Sequence, residues 1–250
     1  MKFAGVRQIV RFNWPFYVVG LLVPLAGALV LFFAPLPHPL VLLGWVGMFA
    51  AAWWYIASLI VSWWVYDVSS VMSADWLAAL VDSSPGQWVA LHAGLDEMTP
   101  CLAAVWGSPV AVLDFFDAVE MTESSILRAR RLARNSFPST LAPHDSLPVA
   151  AGSLDAAVII FAAHELRAES ARRALFGELY RSLRPGGALL IVEHERDFAN
   201  FLAFGPGFLH FLPAGSWNAV PLSVGFSRGC RVKNTPFVTA YRWDKPLETN

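Results

Sequence analysis

Two short polar clusters interrupt the apolar second half of this chain: His164-Glu165 in FAAHEL and Glu193-His194-Glu195 in LIVEHE. Imidazoles beside carboxylates suit three kinds of work. A histidine can take a proton from an oxygen, nitrogen or carbon acceptor. Histidines and carboxylates together can hold a divalent ion. Either group can also simply fasten a loop through hydrogen bonds to backbone. His164 and His194 are the candidate catalytic residues, and no metal is assigned. A third stretch, WVALHAGLDEMT (88–99), sits where a strand would turn into a helix. Loops that cradle nucleotides usually carry several glycines there, because the backbone must approach the ligand closely and take φ > 0. This loop has Gly94 alone.

Each cluster follows an apolar run of strand length. QWVALHAG, SPVAVLDFF, LDAAVIIFAA (154–163) and GALLIVEHE read as buried strands, with a short further strand near 137–141. DEMTPCLAAVW reads as a helix with Pro100 in its first turn. TESSILRARRLARN reads as a basic amphipathic helix with Thr122 as its N-cap. SARRALFGELYRSL (170–183) is a helix stopped by Arg184-Pro185-Gly186-Gly187. SADWLAALVDSS (73–84) predicts a short amphipathic helix closed by Pro85-Gly86. A weaker helix near 215–224 precedes CRVK and PFVTAYRW, which could pair as a hairpin. Such alternation predicts an α/β fold, doubly wound around a mostly parallel sheet. Ligands of such sheets sit beyond the carboxyl ends of the strands, here near 92–96, 114–117, 161–165 and 193–197.

The 250 residues are 56% hydrophobic and only 15% charged, against roughly 25% charged in an ordinary soluble domain. The imbalance lies before Tyr66, where Lys2, Arg7 and Arg11 are the only charges. FYVVGLLVPLAGALVLFFA (16–34) and LVLLGWVGMFAAAWWYIASLIVSWWV (40–65) are uncharged runs of membrane-crossing length, joined by PLPHP. A cleaved signal peptide fits poorly, since bulky Phe32 and then Pro35 occupy the cleavage region. The expectation is a two-helix transmembrane hairpin over 1–65 and a second domain over 66–250. Bases before the first span and none in PLPHP put both Met1 and Asn250 on the cytoplasmic side of the cell membrane. From Asp67 onward the chain has 15 bases against 19 acids, which argues against nucleic acid as a partner. Cys101 and Cys230 lie far apart and form no zinc-ligand pattern.

LPVAAGSLDAAVIIFAAHEL, then a helix, then LRPGGALLIVEH resembles the class I S-adenosylmethionine-dependent methyltransferases, nearest the ubiquinone and menaquinone branch. The resemblance spans roughly Tyr66 to the C-terminus. It implies a Rossmann-like sheet and S-adenosyl-L-methionine as cofactor. The family's first loop reads D-x-G-x-G-x-G; laid on without gaps, it puts Ala90 at the acid and His92, Gly94 and Asp96 at the three glycines. Three of four signature positions differ. Glu97 or Asp96 could meet the cofactor's amino group. Asp114 or Asp117 could accept the ribose hydroxyls, and Asp145 resembles the acid near the adenine. Asp155 matches a family position expected to be structural.

DFANFLAFGPGFLHFLPAGSW (197–217) is unusually aromatic and reads as a lid with a Gly205-Pro206-Gly207 centre. The expected function is a membrane-anchored methyltransferase acting on a hydrophobic small-molecule acceptor, a quinone, isoprenoid or lipid headgroup. The alternative is a catalytically silent methyltransferase-like subunit whose hairpin and lid bind a membrane protein partner.

Overall fold

The computed structural model describes residues 3–133 and 137–247. Met1, Lys2, Asn250 and the expected end of the basic helix at 134–135 lie outside the described residues. The chain begins with three helices: α1 (Ala4–Phe12), α2 (Trp14–Phe33) and α3 (His38–Trp63). α2 and α3 are long and apolar enough to cross a membrane. They form an antiparallel pair around small residues that let the backbones approach, with Gly20 against the Tyr55 ring and Gly44 against Leu31. Their other faces are open: Phe33 is 83% and Phe49 72% exposed.

α1 has no counterpart in the sequence reading. Its cap comes from far along the chain. The Asp67 carboxylate accepts the N–H groups of Gly5 (2.7 Å) and Val6 (2.8 Å), two donors that a helix start leaves unpaired. α1 is thereby tied to the end of α3, where the helix widens into a π-type turn over Trp64–Val68.

Seven strands then form one sheet: β1 (Trp88–His92), β2 (Ala111–Asp114), β3 (Thr140–Leu141), β4 (Leu154–Ile160), β5 (Leu183–His194), β6 (Ser227–Thr235) and β7 (Val238–Asp244). Their order is β3-β2-β1-β4-β5-β7-β6, with the first five parallel and β7 antiparallel to both neighbours. Strand order reverses between β1 and β4, which opens a crevice at their carboxyl ends. The central strands are buried on both faces. Val89 and Leu91 point into one apolar cluster, Trp88 and Ala90 into the other, and Val65 joins the second cluster from the base of the helical hairpin.

The layers beside the sheet are α4 (Asp75–Ala78), α5 (Thr99–Trp106), α6 (Ser124–Leu132), α7 (Glu169–Ser182), α8 (Phe198–Phe204) and α9 (Ala214–Ser223). Two local expectations need correction. The helix expected over 73–84 lasts only four residues; beyond it the Leu80 carbonyl instead accepts from Arg242 (2.8 Å). Thr122 does not cap α6: Glu123 stands at the N-cap, with no side-chain bond to the helix. Arg184-Pro185-Gly186-Gly187 follows the end of α7 as expected and forms the bulged start of β5. Gly186 takes φ +79°, and a Cβ on Gly187 would come within 2.9–3.2 Å of three carbonyl oxygens. Asp155 holds this corner, accepting from Gly86 (2.7 Å) and Gln87 (2.9 Å) and pairing with Arg184 (2.9 Å).

Candidate active site

The carboxyl ends of β1, β2, β4 and β5 converge on the crevice. β1 ends on buried His92, whose Nδ1 accepts the Gly94 N–H (2.9 Å). Burial lowers its pKa against the pull of Asp114 and Asp96, so the ring is neutral. Gly94 takes φ +107°, and a Cβ there would strike the Arg130 side chain at 2.5 Å. Arg130 reaches over from α6, lies across the Phe116 ring (4.2 Å) and ion-pairs with Asp114 at the end of β2. The other Asp114 oxygen accepts the Phe116 N–H (3.1 Å). Asp96 starts α5 by accepting the Thr99 N–H (3.0 Å).

Glu97 Oε2 is enclosed without a hydrogen-bond partner, as is Nε2 of His92. Burial first, then Asp96 and Glu193, raises the Glu97 pKa to about 7. An unpaired enclosed carboxyl oxygen is costly unless a ligand completes it.

After β4 the chain turns at Phe161, whose φ of +51° makes it the one non-glycine with positive φ among the described residues. Such a bulky residue is rarely found there, and strain of this kind concentrates at functional sites. The turn brings His164 over β5. His164 Nδ1 pairs with Glu193 Oε2 (2.7 Å), while its backbone N–H reaches Glu193 Oε1 (3.2 Å). Burial pulls its pKa down, but Glu193, with help from Glu165, outweighs that and holds it at about 9. His194 behaves oppositely. Its Nδ1 faces the Phe237 carbonyl (2.9 Å), its Nε2 faces the Tyr66 hydroxyl (3.0 Å), and its ring stacks on Phe161 and Phe211. Burial lowers its pKa to about 4. With both nitrogens engaged, it is placed to hold Tyr66. Glu195 takes Arg231 in a two-pronged pair (2.6 and 2.8 Å) and serves the scaffold.

The structure therefore brings His92, Gly94, Asp96, Asp114, His164 and His194 to one end of the sheet. Asp117 is committed to its own turn, accepting from Val119 (2.7 Å) and Glu120 (3.3 Å). Asp145 is exposed on a turn after β3. Arg130 and Tyr66 escape the sequence reading, because only the fold brings them here.

A cavity of about 380 Å³, within the usual range for small-ligand sites, is lined by Glu97, His164 and His194 but not by His92, Gly94, Asp96 or Asp114. Glu97, His164 and Glu165 give it a polar floor, and Phe16 and Tyr17 of α2 with Ser58 and Ser62 of α3 form one wall. Phe204 and Phe211 of the 198–212 segment form another. That segment leans on α3: Trp53 Nε1 donates to the Leu202 carbonyl (2.9 Å), and Gly205 sits where a Cβ would meet the Trp54 ring at 2.6 Å. A second hollow of about 740 Å³ shares Tyr66, Leu95 and Glu97 and lies beneath α1, with Arg7, Arg11 and Arg131 on its rim.

Residues 103–191, from α5 into β5, match the family model of a methyltransferase domain. No curated protein sequence matches. Among solved structures, a SAM-dependent methyltransferase from Aquifex aeolicus aligns at TM-score 0.52 and 14% identity, over 68% of this chain and 88% of that one. Human N-acetylserotonin methyltransferase in complex with SAM aligns at 0.51 and 13%, over 79% of this chain and 57% of that one. Geranyl diphosphate C-methyltransferase from Streptomyces coelicolor aligns at 0.50 and 12%, over 69% and 78%. Identities this low establish the Rossmann-like fold. Together with the domain match, they support a methyltransferase that uses S-adenosylmethionine.

Proposed function

We propose that this chain is a membrane-anchored, S-adenosylmethionine-dependent methyltransferase whose acceptor is a hydrophobic, lipid-soluble small molecule. One observation carries the reading. The cavity above the strand ends is walled on one side by the two apolar helices and on another by the aromatic segment. An acceptor dissolved in the bilayer would reach the polar floor without crossing water, and the domain on its hairpin would face the cytoplasm. The quinone-methylating branch is one chemistry that such a cavity suits.

The residues present fit the cofactor. Gly94 allows backbone to approach it, the unpartnered Glu97 oxygen suits its ammonium group, and the Asp114 carboxylate suits a ribose diol. Arg130 holds Asp114 in this arrangement, so cofactor binding through Asp114 requires its side chain, 31% exposed, to swing away. When bound, the cofactor supplies an electrophilic methyl group on a sulfonium. The chain's own task is alignment, which can supply much of the rate for such a transfer. Phe204, Phe211 and the α2 aromatics enclose the acceptor's apolar body. His164 and Glu165 meet its polar end, and His194 positions Tyr66 between the two hollows.

The Arg130–Asp114 pair and the His92 ring in the loop favour a second reading, a silent subunit that binds a membrane protein partner. One experiment separates the two. The full chain, purified in detergent, is incubated with methyl-tritiated S-adenosylmethionine and total membrane lipid. Label in the organic phase is the expected result; no cofactor binding and no transfer would select the silent subunit.

A further inference from the structure

From the cavity floor we infer a divalent transition-metal site made by His164, Glu165 and His210. One ligand atom from each lies within 4.8 Å of the others, and His164 Nε2 is already 3.5 Å from Glu165 Oε1. A tetrahedral ion with bonds of about 2.0–2.1 Å draws its ligands to roughly 3.4 Å from one another, so closing the site needs a shift of about an ångström.

The surroundings are those of metal-binding histidines. A ligating imidazole usually gives its other nitrogen to a carboxylate, which fixes ring orientation and tautomer. Both histidines have that partner. Glu193, wholly buried, sits 2.7 Å from His164 Nδ1, and Glu123 sits 3.1 Å from His210 Nδ1. Each Nε2 is thereby left to take an ion as it gives up its proton. Arg167 donates to the backbone carbonyls of both His164 and His210, tying together two loops far apart in sequence. All three proposed ligands line the 380 Å³ cavity, so the open side of the ion faces the acceptor. Two histidines and one carboxylate with open positions suit zinc or non-haem iron. The ion holds an oxygen of the acceptor at the cavity floor. That role rests on the acceptor reading above; the site itself does not.

Cobalt(II) is the probe. The full chain in detergent is stripped with chelator, loaded with Co²⁺ and desalted, with no cofactor or acceptor present. One Co²⁺ per chain with visible ligand-field absorption is expected. Glu165→Gln and His210→Gln should each abolish the absorption. Glu123→Gln should weaken Co²⁺ affinity about tenfold or more, and His38→Gln should change nothing. His210 is partly exposed, so its variant should keep the parent melting temperature; should it unfold, Glu165→Gln decides. Failure of the wild-type chain to retain Co²⁺, or retention by both ligand variants, overturns the site. Because cofactor is absent, that failure leaves the methyltransferase reading standing, and failed cofactor binding would leave the metal site standing.

Discussion

At the scale of single residues, two charges compete for one place. Asp114 at the end of β2 is the acid we assign to a ribose diol, yet Arg130 occupies it, lying over Gly94 and Phe116. The two positions should therefore answer in opposite directions. Removing a charged hydrogen-bond acceptor costs about 1.5–3 kcal/mol, so Asp114→Ala should weaken cofactor affinity by roughly tenfold to more than a hundredfold. A partly exposed ion pair holds about 0–1 kcal/mol, so Arg130→Ala should tighten affinity by up to about fivefold. Titration calorimetry with S-adenosylhomocysteine reads both, and equal losses in both variants would show that the pair only braces the fold. Glu97 makes the second residue-level prediction. Its folded pKa, about 7, stands above the unfolded value of 4.5. The sign follows: its contribution to stability is complete below pH 4.5 and is lost as pH rises through 7. Glu97→Gln should therefore raise the melting temperature at pH 8 relative to wild type and have little effect at pH 4.5. A ligand ammonium reverses the preference, so wild-type cofactor affinity should rise with pH through 7 while the variant's stays flat. A wild-type affinity that ignores pH across that range would remove Glu97 from the cofactor site.

At the scale of elements, the site is a joint between strand ends and two helical additions, and the additions are where prediction is most exposed. If the 198–212 segment admits the acceptor, Phe204→Ser with Phe211→Ser should lower methyl transfer into lipid while leaving cofactor affinity within about twofold. Each half-buried ring contributes less than the roughly 1.5–3 kcal/mol of a fully buried one, so the melting temperature should fall only modestly. Collapse of cofactor binding together with melting would mean that the rings are core, not a door. The same elements show what the sequence makes readable. β1, β4 and β5 are buried on both faces and announce themselves as unbroken apolar runs. Their carboxyl ends then point to His92, His164 and His194. α1 gives no such signal, because its cap, Asp67, lies 62 residues away. Arg130 over Gly94, Glu193 under His164 and the bulged start of β5 are likewise products of register and tertiary contact. The helix expected at 73–84 is cut short after Ala78, and beyond it the Leu80 carbonyl accepts from distant Arg242.

At the scale of the whole molecule, charge is distributed in layers. Arg7 and Arg11 on α1, with Arg128 and Arg131 on α6, stand beside the base of the helical pair; Arg128 even donates to the Phe12 carbonyl. The far end, 35–39, contains no Asp, Glu, Lys or Arg. The two helices are long and apolar enough to cross a membrane, and on the proposed reading the faces they leave open meet a bilayer. The composition alone made that much legible, since all charge before Tyr66 sits in the first 11 residues. What it could not show is that the pair also walls the cavity, which Tyr17, Ser58 and Ser62 line, and that Val65 is packed into the sheet's own core. On the proposed reading insertion and the site are coupled, and topology becomes a test of both. Carrying an arginine to the centre of a membrane helix costs about 2.5–3.5 kcal/mol, so the basic end should remain on the cytoplasmic side while 35–39 crosses. Reporter fusions at both ends should give cytoplasmic signals. Moving charge from one end to the other, with Arg7→Ala and Arg11→Ala plus Leu36→Lys and His38→Lys, should turn a substantial fraction of the population over. That fraction should also lose transfer to lipid, because its domain would face the wrong compartment for the cofactor. A C-terminal reporter reading outside the cytoplasm in the wild-type chain would reject the two-span topology and, with it, an acceptor delivered along the hairpin.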